Sequence, residues 1–361
     1  MKADRIINVK VGIFDPYLET LGGGEKYILN IALCLAEKHE VFLFWDDDLI
    51  LEKAHFRFNL NLDRINLTKN IFSPGVNILK KRQETKKYDL IIYISDGSVP
   101  LLFAKKNILL FQFPVNWVNG DRFLTKIKLN RIDKIICYSN YVKKHLDKTF
   151  KANAFVLNPA ADVIPMYNIK KENVILSVGR FTKAINTKKQ EVLVKVFKEN
   201  YRKIFSNWKL IIIGSVLKKD REYLFHLRKI AGDHPIEVHD SVSYEQLKKY
   251  YQRSKIYWHA AGYGEDLEEH PEFAEHFGIS TVEAMGAGAV PVVINAGGQK
   301  EIVEDQKSGF LWNSLDELRD KTSLLINDEK LLKSISREAK KRAELFSGDR
   351  FCKELFQIID I

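Results

Sequence analysis

A chain of 361 residues exceeds what one hydrophobic core usually serves, so two domains of roughly 150–200 residues each are expected. With 45% hydrophobic and 29% charged residues the composition suits a packed soluble protein, and no apolar run approaches the roughly 18–20 residues of a membrane span. Three widely spaced cysteines in apolar patterns, Cys34, Cys137 and Cys352, argue against a disulfide framework and a zinc site, and the net charge of +10 lies mostly in the first half, where 25 Lys and Arg face 18 Asp and Glu up to Pro165.

Met1-Lys2-Ala3-Asp4-Arg5 leads directly into a strand pattern, so no signal peptide is expected, and a reducing cytoplasm is the expected compartment. Strand patterns follow at Val9–Phe14, Val41–Trp45, Leu90–Ser95, Ile108–Phe111 and Lys134–Tyr138, with helical patterns such as Glu25–Lys38 and Asn140–Thr149 between them. This alternation is the sign of a parallel sheet covered by helices on both faces.

After the first strand, Gly22-Gly23-Gly24-Glu25 lets the backbone approach a ligand closely before a helix begins. Neither G-x-G-x-x-G nor G-x-x-x-x-G-K-[ST] is present, so a dinucleotide fold or a P-loop is not indicated, and alone these glycines read as a flexible turn. Lys80-Lys81-Arg82 with Lys86-Lys87 is the densest basic cluster and reads as the solvated side of a helix, with a membrane-facing patch as the second reading. No nucleic-acid-binding motif accompanies it. The loop Phe111-Gln112-Phe113-Pro114 offers an amide, Gln112, able to hydrogen-bond a sugar hydroxyl but not to relay a proton.

Leu157–Pro165, with two prolines, suits an extended connection, and the domain boundary is placed there, giving domains 1–160 and 161–345. A second series begins at Val174–Val178 and continues through Leu210–Ile213, Ile256–His259, Val290–Ile294 and Gly309–Leu311, followed by amphipathic helices at Leu331–Ala343 and Phe351–Ile359. At its start, Gly179-Arg180 and the cluster Lys183, Lys188 and Lys189 set cations at a strand end, where a leaving diphosphate would be neutralised. His259, His270 and His276 lie among carboxylates without metal-ligand spacing, so no metal is expected.

The most specific stretch is Glu275-His276-Phe277-Gly278-Ile279-Ser280-Thr281-Val282-Glu283, with two carboxylates eight residues apart across a loop-to-helix junction. A helix beginning near Ser280 would turn its free N–H groups toward a phosphate, while Glu275 and Glu283 would face the hydroxyls of hexose and ribose. The plainer reading of Ser280-x-x-Glu283 is a capping box, which fits Glu283 but leaves Glu275 unexplained.

Glu275-x7-Glu283 with Phe277-Gly278-Ile279 inside it resembles the signature of family 4 retaining glycosyltransferases, and Gly-Gly-x-Glu after the first strand is similar to their N-terminal loop. The resemblance implies the GT-B fold, two Rossmann-like doubly wound domains facing across a cleft, with the last helix, 346–361, crossing back onto the first domain. It implies that Gly23 and Gly24 approach the donor, that Glu275, Phe277, Gly278 and Ile279 face its sugar with Ser280 beside the phosphate, and that Glu283 holds the ribose. Arg180 and a following Lys would stabilise the leaving diphosphate. Counting back from the helix at Val192 favours Lys188, with Lys183 and Lys189 as alternatives because the spacing is longer than usual. Relatives carry a His where this chain has Gln112, on the acceptor side.

The expected activity is therefore transfer of a hexose, of mannose or glucose type, from a nucleoside-diphosphate sugar to a saccharide or lipid-linked hydroxyl, with no other cofactor. The Pro159 segment and the Asn140–His145 pattern resemble mannosyltransferases that extend lipid-linked oligosaccharides, favouring GDP-mannose over a UDP-sugar. The basic first half makes an anionic membrane surface a candidate partner, at the inner membrane face. The alternatives are a GT-B-like epimerase or phosphorylase, or a non-catalytic sugar-nucleotide-binding subunit.

Overall fold

The computed structural model describes residues 9–118, 120–162, 169–183 and 187–361. Met1–Arg5, the end of the proline-bearing connection at Val163–Pro165, and Ala184–Asn186 of the lysine loop lie outside the described residues. The chain forms two compact units, Met1–Ala160 with Gly348–Ile361, and Ala161–Ser347.

The first unit carries β1 (Lys10–Phe14), β2 (Glu40–Phe44), β3 (Ile65–Thr68), β4 (Leu90–Ser95), β5 (Lys106–Phe111), β6 (Lys134–Cys137) and β7 (Phe155–Val156). They form one parallel sheet in the order β3-β2-β1-β4-β5-β6-β7. Ile91, Ile92 and Ile94 of β4 and Ile108 to Phe111 of β5 are buried, as strands covered on both faces must be. The intervening helices are α1 (Gly23–Ala36), α2 (Ile50–Phe58), α3 (Ile78–Thr85), α4 (Phe123–Leu129) and α5 (Asn140–Phe150).

The second unit has β8 (Glu172–Val178), β9 (Lys209–Gly214), β10 (Ile236–Asp240), β11 (Ser254–His259), β12 (Val290–Ile294) and β13 (Phe310–Trp312), parallel in the order β10-β9-β8-β11-β12-β13. Its helices are α6 (Gln190–Asn200), α7 (Arg221–Ala231), α8 (Tyr244–Arg253), α9 (Ile279–Gly286), α10 (Gln299–Ile302), α11 (Leu315–Asn327) and α12 (Glu329–Glu344). Trp258 sits fully buried in this core against Phe205, and its indole N–H donates to Thr322 Oγ1 at 2.9 Å, so the large ring is covered without orphaning its donor. In each sheet the chain reverses direction beside the first strand of the unit, between β1 and β4 and between β8 and β11. That reversal is where open α/β sheets bind ligands, outside the carboxyl ends of the strands.

The last helix, α13 (Gly348–Ile359), belongs to the first unit, with Phe351 edge-on to Tyr27 and Arg350 donating to Asn158 O at 2.8 Å. One expectation is corrected here. Cys34 of α1 and Cys352 of α13 form a disulfide across a sequence separation of 318 residues, while Cys137 is free and buried. Spacing along the sequence cannot show that pairing, because α13 returns to α1 only in the fold. The argument for a reducing compartment from unpaired cysteines falls with it. Among the described residues, no helix is long and apolar enough to cross a membrane.

Candidate functional site

The second unit gathers its chemistry at the reversal between β8 and β11. His259 ends β11, Glu275 stands in the loop before α9, and Lys188 precedes α6. Lys188 Nζ lies 2.8 Å from Glu275 Oε2, and His259 Nε2 lies 2.7 Å from the same oxygen. Ala261 N–H donates to His259 Nδ1 at 3.4 Å, which leaves the ring proton on Nε2, pointing at the carboxylate. Burial alone would raise the Glu275 carboxyl, but the charge of Lys188 and the His259 hydrogen bond outweigh it and hold the group well below its usual range. Glu275 is thus kept ionised in a place where an isolated carboxylate would take up a proton.

The backbone around Glu275 is fixed from the far side. Gly298 N–H donates to Glu275 O at 2.7 Å, and a Cβ on Gly298 would come within 2.5 Å of Phe277 Cα and 2.6 Å of His276 O. Only a bare α-carbon permits that approach. Phe277 is buried with its ring edge-on to Phe346, 5.3 Å between centroids. Gly278 then turns with φ at +118°, a conformation L side chains avoid, and caps α9. His276 is half-buried and donates from Nε2 to Glu272 O at 3.1 Å; desolvation pushes its pKa down to about 4, so it is neutral.

Because α9 starts at Ile279 with Gly278 as its cap, Ser280-x-x-Glu283 is not a capping box. Ser280 Oγ shares a hydrogen bond of 2.7 Å with Tyr257 OH and reaches Val178 O at 3.3 Å, tying the first turn of α9 to β8 and β11. Glu283 is buried and accepts from Tyr251 OH at 3.0 Å. Ile279 and Ser280 head a helix whose leading N–H groups have no partner within it, which favours an anion at that end.

Among the cations, Arg180 is exposed just after β8, and its carbonyl and that of Gly179 accept from the buried amide of Gln190 at 3.0 and 3.2 Å. Lys183 lies over the Tyr223 ring, 5.6 Å from its centroid, and Lys189 pairs with Glu265. Lys188 alone of the three is engaged with Glu275 in the contacts described here. Among the described residues, no group of three or more His, Cys, Asp or Glu is placed to hold a metal ion.

Gly23, Gly24 and Gln112 belong to the first unit. Gly23 and Gly24 are the opening residues of α1, and Glu25 Oε2 returns to Gly22 N–H at 2.6 Å, so Glu25 caps its own helix. Gln112 packs on Gly24 so closely that a Cβ there would lie 2.4 Å from its Oε1. Beside them, at the end of β1, is Asp15, which the motif search did not single out. Asp15 Oδ1 accepts Tyr17 N–H at 2.8 Å, while Oδ2, like Gln112 Nε2, is buried without a partner among the described residues. Burial, then the nearby Glu25, raises Asp15 to about 7. His259 stood out only as one of three histidines among carboxylates, and three residues were missed: Gln190, Gly297, where a Cβ would lie 2.2 Å from Glu275 O, and Gly298. A Gly-Gly pair following the β12 pattern was the available signal for the last two.

Comparison with known proteins fits this geometry. Residues 164–342 match the model of the family described as glycosyl transferases group 1. The match covers nearly all of the second unit, which resembles a group 1 glycosyltransferase domain. Over 97% of this chain and 84% of the other, the sequence is 24% identical to the GDP-Man:Man(3)GlcNAc(2)-PP-Dol alpha-1,2-mannosyltransferase of Dictyostelium discoideum. An uncharacterized glycosyltransferase of Methanocaldococcus jannaschii is 28% identical over 65% of this chain, which spans 61% of that protein. In three dimensions, Anabaena HepE in complex with UDP and glucose superposes with a TM-score of 0.74 at 17% identity, covering 98% of this chain and 100% of that one. The fold is GT-B, with two Rossmann-like units.

Proposed function

We propose that this protein is a group 1 glycosyltransferase, a retaining enzyme of family 4 that moves a hexose from a nucleoside-diphosphate sugar to a hydroxyl of a saccharide or lipid-linked acceptor. The observation that carries the reading is the Lys188–Glu275–His259 cluster, a largely covered carboxylate held ionised beside a helix that opens on a glycine. An ionised carboxylate only accepts hydrogen bonds, so Glu275 suits the hydroxyls of a hexose and fixes the orientation of the ring.

Lys188, with Arg180 nearby, supplies positive charge where a departing diphosphate becomes more negative. The first N–H groups of α9, at Ile279 and Ser280, add a fixed dipole to that charge. Because these groups are set before the donor arrives, little reorganisation accompanies the reaction. Glu283, buried in α9, is the residue we assign to the ribose, and Gly278 and Phe277 shape the sugar pocket. In the first unit, Gly23 and Gly24 admit close approach of the donor, and Gln112 is assigned to an acceptor hydroxyl. No side chain is required as a nucleophile in this scheme. The leaving phosphate itself takes the acceptor proton as the new glycosidic bond forms on the face the diphosphate leaves.

The name of the Dictyostelium relative favours GDP-mannose as donor and a lipid-diphosphate-linked glycan as acceptor. Calorimetric titration with GDP-mannose, UDP-glucose and a dTDP-sugar tests the reading. Binding of one donor that weakens in Glu275→Gln and Arg180→Ala, both verified as folded, is the expected result. No binding of any sugar nucleotide to folded protein would sink it.

A further inference from the structure

The first unit has a face that its own core does not explain. α4 has no buried residue, and Phe123, Leu124 and Ile127 on it are 77%, 69% and 43% exposed. α3 buries only Thr85, and Ile78 and Leu79 at its start are 51% and 73% exposed. The connections β3-α3-β4 and β5-α4-β6 advance in the same direction across the sheet, so right-handed crossovers put both helices on one side of it. Phe103 joins them, with the Arg82 guanidinium 5.4 Å from its ring centroid and that of Arg131, just after α4, at 4.8 Å.

The charge on this face is predominantly positive. Residues 77–87 and 121–131 contain nine Lys and Arg against two carboxylates, Glu84 and Asp121. Asp121 is already occupied by Lys126 at 3.1 Å and Lys151 at 2.8 Å. Arg122 and Lys128 have no ion-pair partner among the described residues, and both line a cavity of about 440 Å³ with Asp96, Ser98, Trp117 and Thr125. The indole of Trp117 stacks on Phe113 and is itself half exposed.

Large apolar side chains standing among unpaired cations suit a boundary between anionic headgroups and acyl chains. There the stems and rings leave water while the charges stay at the phosphates. A second copy of this chain does not suit it, because self-association would set cations against cations. We propose that the α3–α4 face is a docking surface for an anionic lipid bilayer, with Phe123, Leu124 and Ile127 entering the headgroup layer and Arg122 and Lys128 meeting lipid phosphates at the cavity mouth. Neither signal suffices alone; together they give reversible attachment that weakens with salt.

The test is co-sedimentation of the full chain with vesicles of phosphatidylglycerol mixed equally with phosphatidylcholine, against phosphatidylcholine alone. Wild type is expected to bind only the anionic vesicles. Both Arg122→Glu with Lys128→Glu and Phe123→Ser with Leu124→Ser should lower partitioning on the order of tenfold or more. All these side chains are solvent-exposed or half-exposed, so folding should survive, and circular dichroism verifies it. Lys218→Glu with Lys219→Glu, the same charge change on the second unit, should leave binding within twofold.

Failure of wild type to bind overturns the proposal. So does equal loss in the Lys218 and Arg122 variants, which would mean attraction by net charge alone, or a concentration-dependent dimer broken by Phe123→Ser with Leu124→Ser. The readout uses no donor, so its failure is distinct from failure of the glycosyltransferase reading, which calorimetry reports separately.

Discussion

Asp15 in the first unit, buried, and Glu275 in the second, 13% exposed, are both carboxylates beyond the carboxyl ends of a parallel sheet, yet their protons are held in opposite ways. Asp15 is raised to about 7 and Glu275 is held well below the usual carboxylate range. Desolvation is the largest influence on each. What separates them is company: Glu275 has Lys188 at 2.8 Å and the Nε2–H of His259 at 2.7 Å, whereas Asp15 has Glu25 nearby and a single backbone N–H. The proposed donor site therefore comes with its counter-charges assembled, while the corresponding end of the first unit holds a carboxyl group whose proton is available near neutral pH.

The largest effect should come from erasing that difference. Lys188→Met leaves Glu275 as buried as before without its cation, which makes it a second Asp15. Turnover should fall on the order of 10³-fold, the scale for losing a fixed charge aimed at a transition state. Its pH dependence should also change. In wild type Glu275 remains ionised throughout the neutral range; in the variant its pKa rises, so donor affinity should fall as pH is lowered from about 8 to about 5. Calorimetry across that range checks this, and a pH-independent affinity in the variant would show that His259 alone holds the charge.

Asp15→Asn attacks the comparison from the other side. With the folded pKa near 7 and the unfolded value near 3.8, the unfolded chain ionises first as pH rises, so this group subtracts stability progressively between about pH 4 and pH 7 and by a constant amount above that. Asparagine can still accept the Tyr17 N–H and carries no such penalty. The variant should match wild type at pH 4 and exceed it at pH 8 by about 2–4 kcal/mol, read as a rise in Tm. Equal Tm at both pH values would place the Asp15 pKa at its ordinary value.

How much of this was legible follows from exposure. Every central strand was foreseen to within a few residues because burial on both faces leaves an unbroken apolar run, as in Leu90–Ser95 or Val290–Ile294. The strands missed, Ile65–Thr68, Phe155–Val156 and Ile236–Asp240, are all at sheet edges, where half-exposed positions admit Asn66, Glu237 and His239 and dilute the pattern. Glu275 and Glu283 could be read because they share one short segment. His259, Gln190 and Asp15 could not, since each gains its place from a strand or helix distant in sequence. The capping box at Ser280 failed for a local reason: Gly278 at φ +118° caps the helix two residues earlier than a Ser280 cap requires.

Gly298→Ala should have a smaller effect that spares Lys188 and His259. Its Cβ would meet the backbone of His276 and Phe277, which cannot retreat as a flexible side chain would. Crowding of this type costs about 1–3 kcal/mol. Donor affinity should fall roughly tenfold as Glu275 shifts, with a loss of several degrees in Tm. Gly348→Ala, with nothing within 4 Å of the added carbon, is the matched control and should be silent.

The smallest effect sharpens what the second unit has left unpaired. Gln299 opens α10 against Gly278, fully buried, and neither its Oε1 nor its Nε2 has a hydrogen-bond partner among the described residues. A buried amide in that state costs about 1–3 kcal/mol, and leucine of similar size removes the cost without opening a cavity. Gln299→Leu should therefore raise stability by about 1–2 kcal/mol while leaving donor affinity within twofold, because the Lys188–Glu275–His259 cluster and the start of α9 remain as they were. Thermal unfolding and calorimetry on the same preparation decide it. A tenfold loss of donor affinity alongside the gain in Tm would mean that the amide turns toward the donor when it binds. The unit would then hold one neutral polar group in reserve, as the first unit does with Gln112.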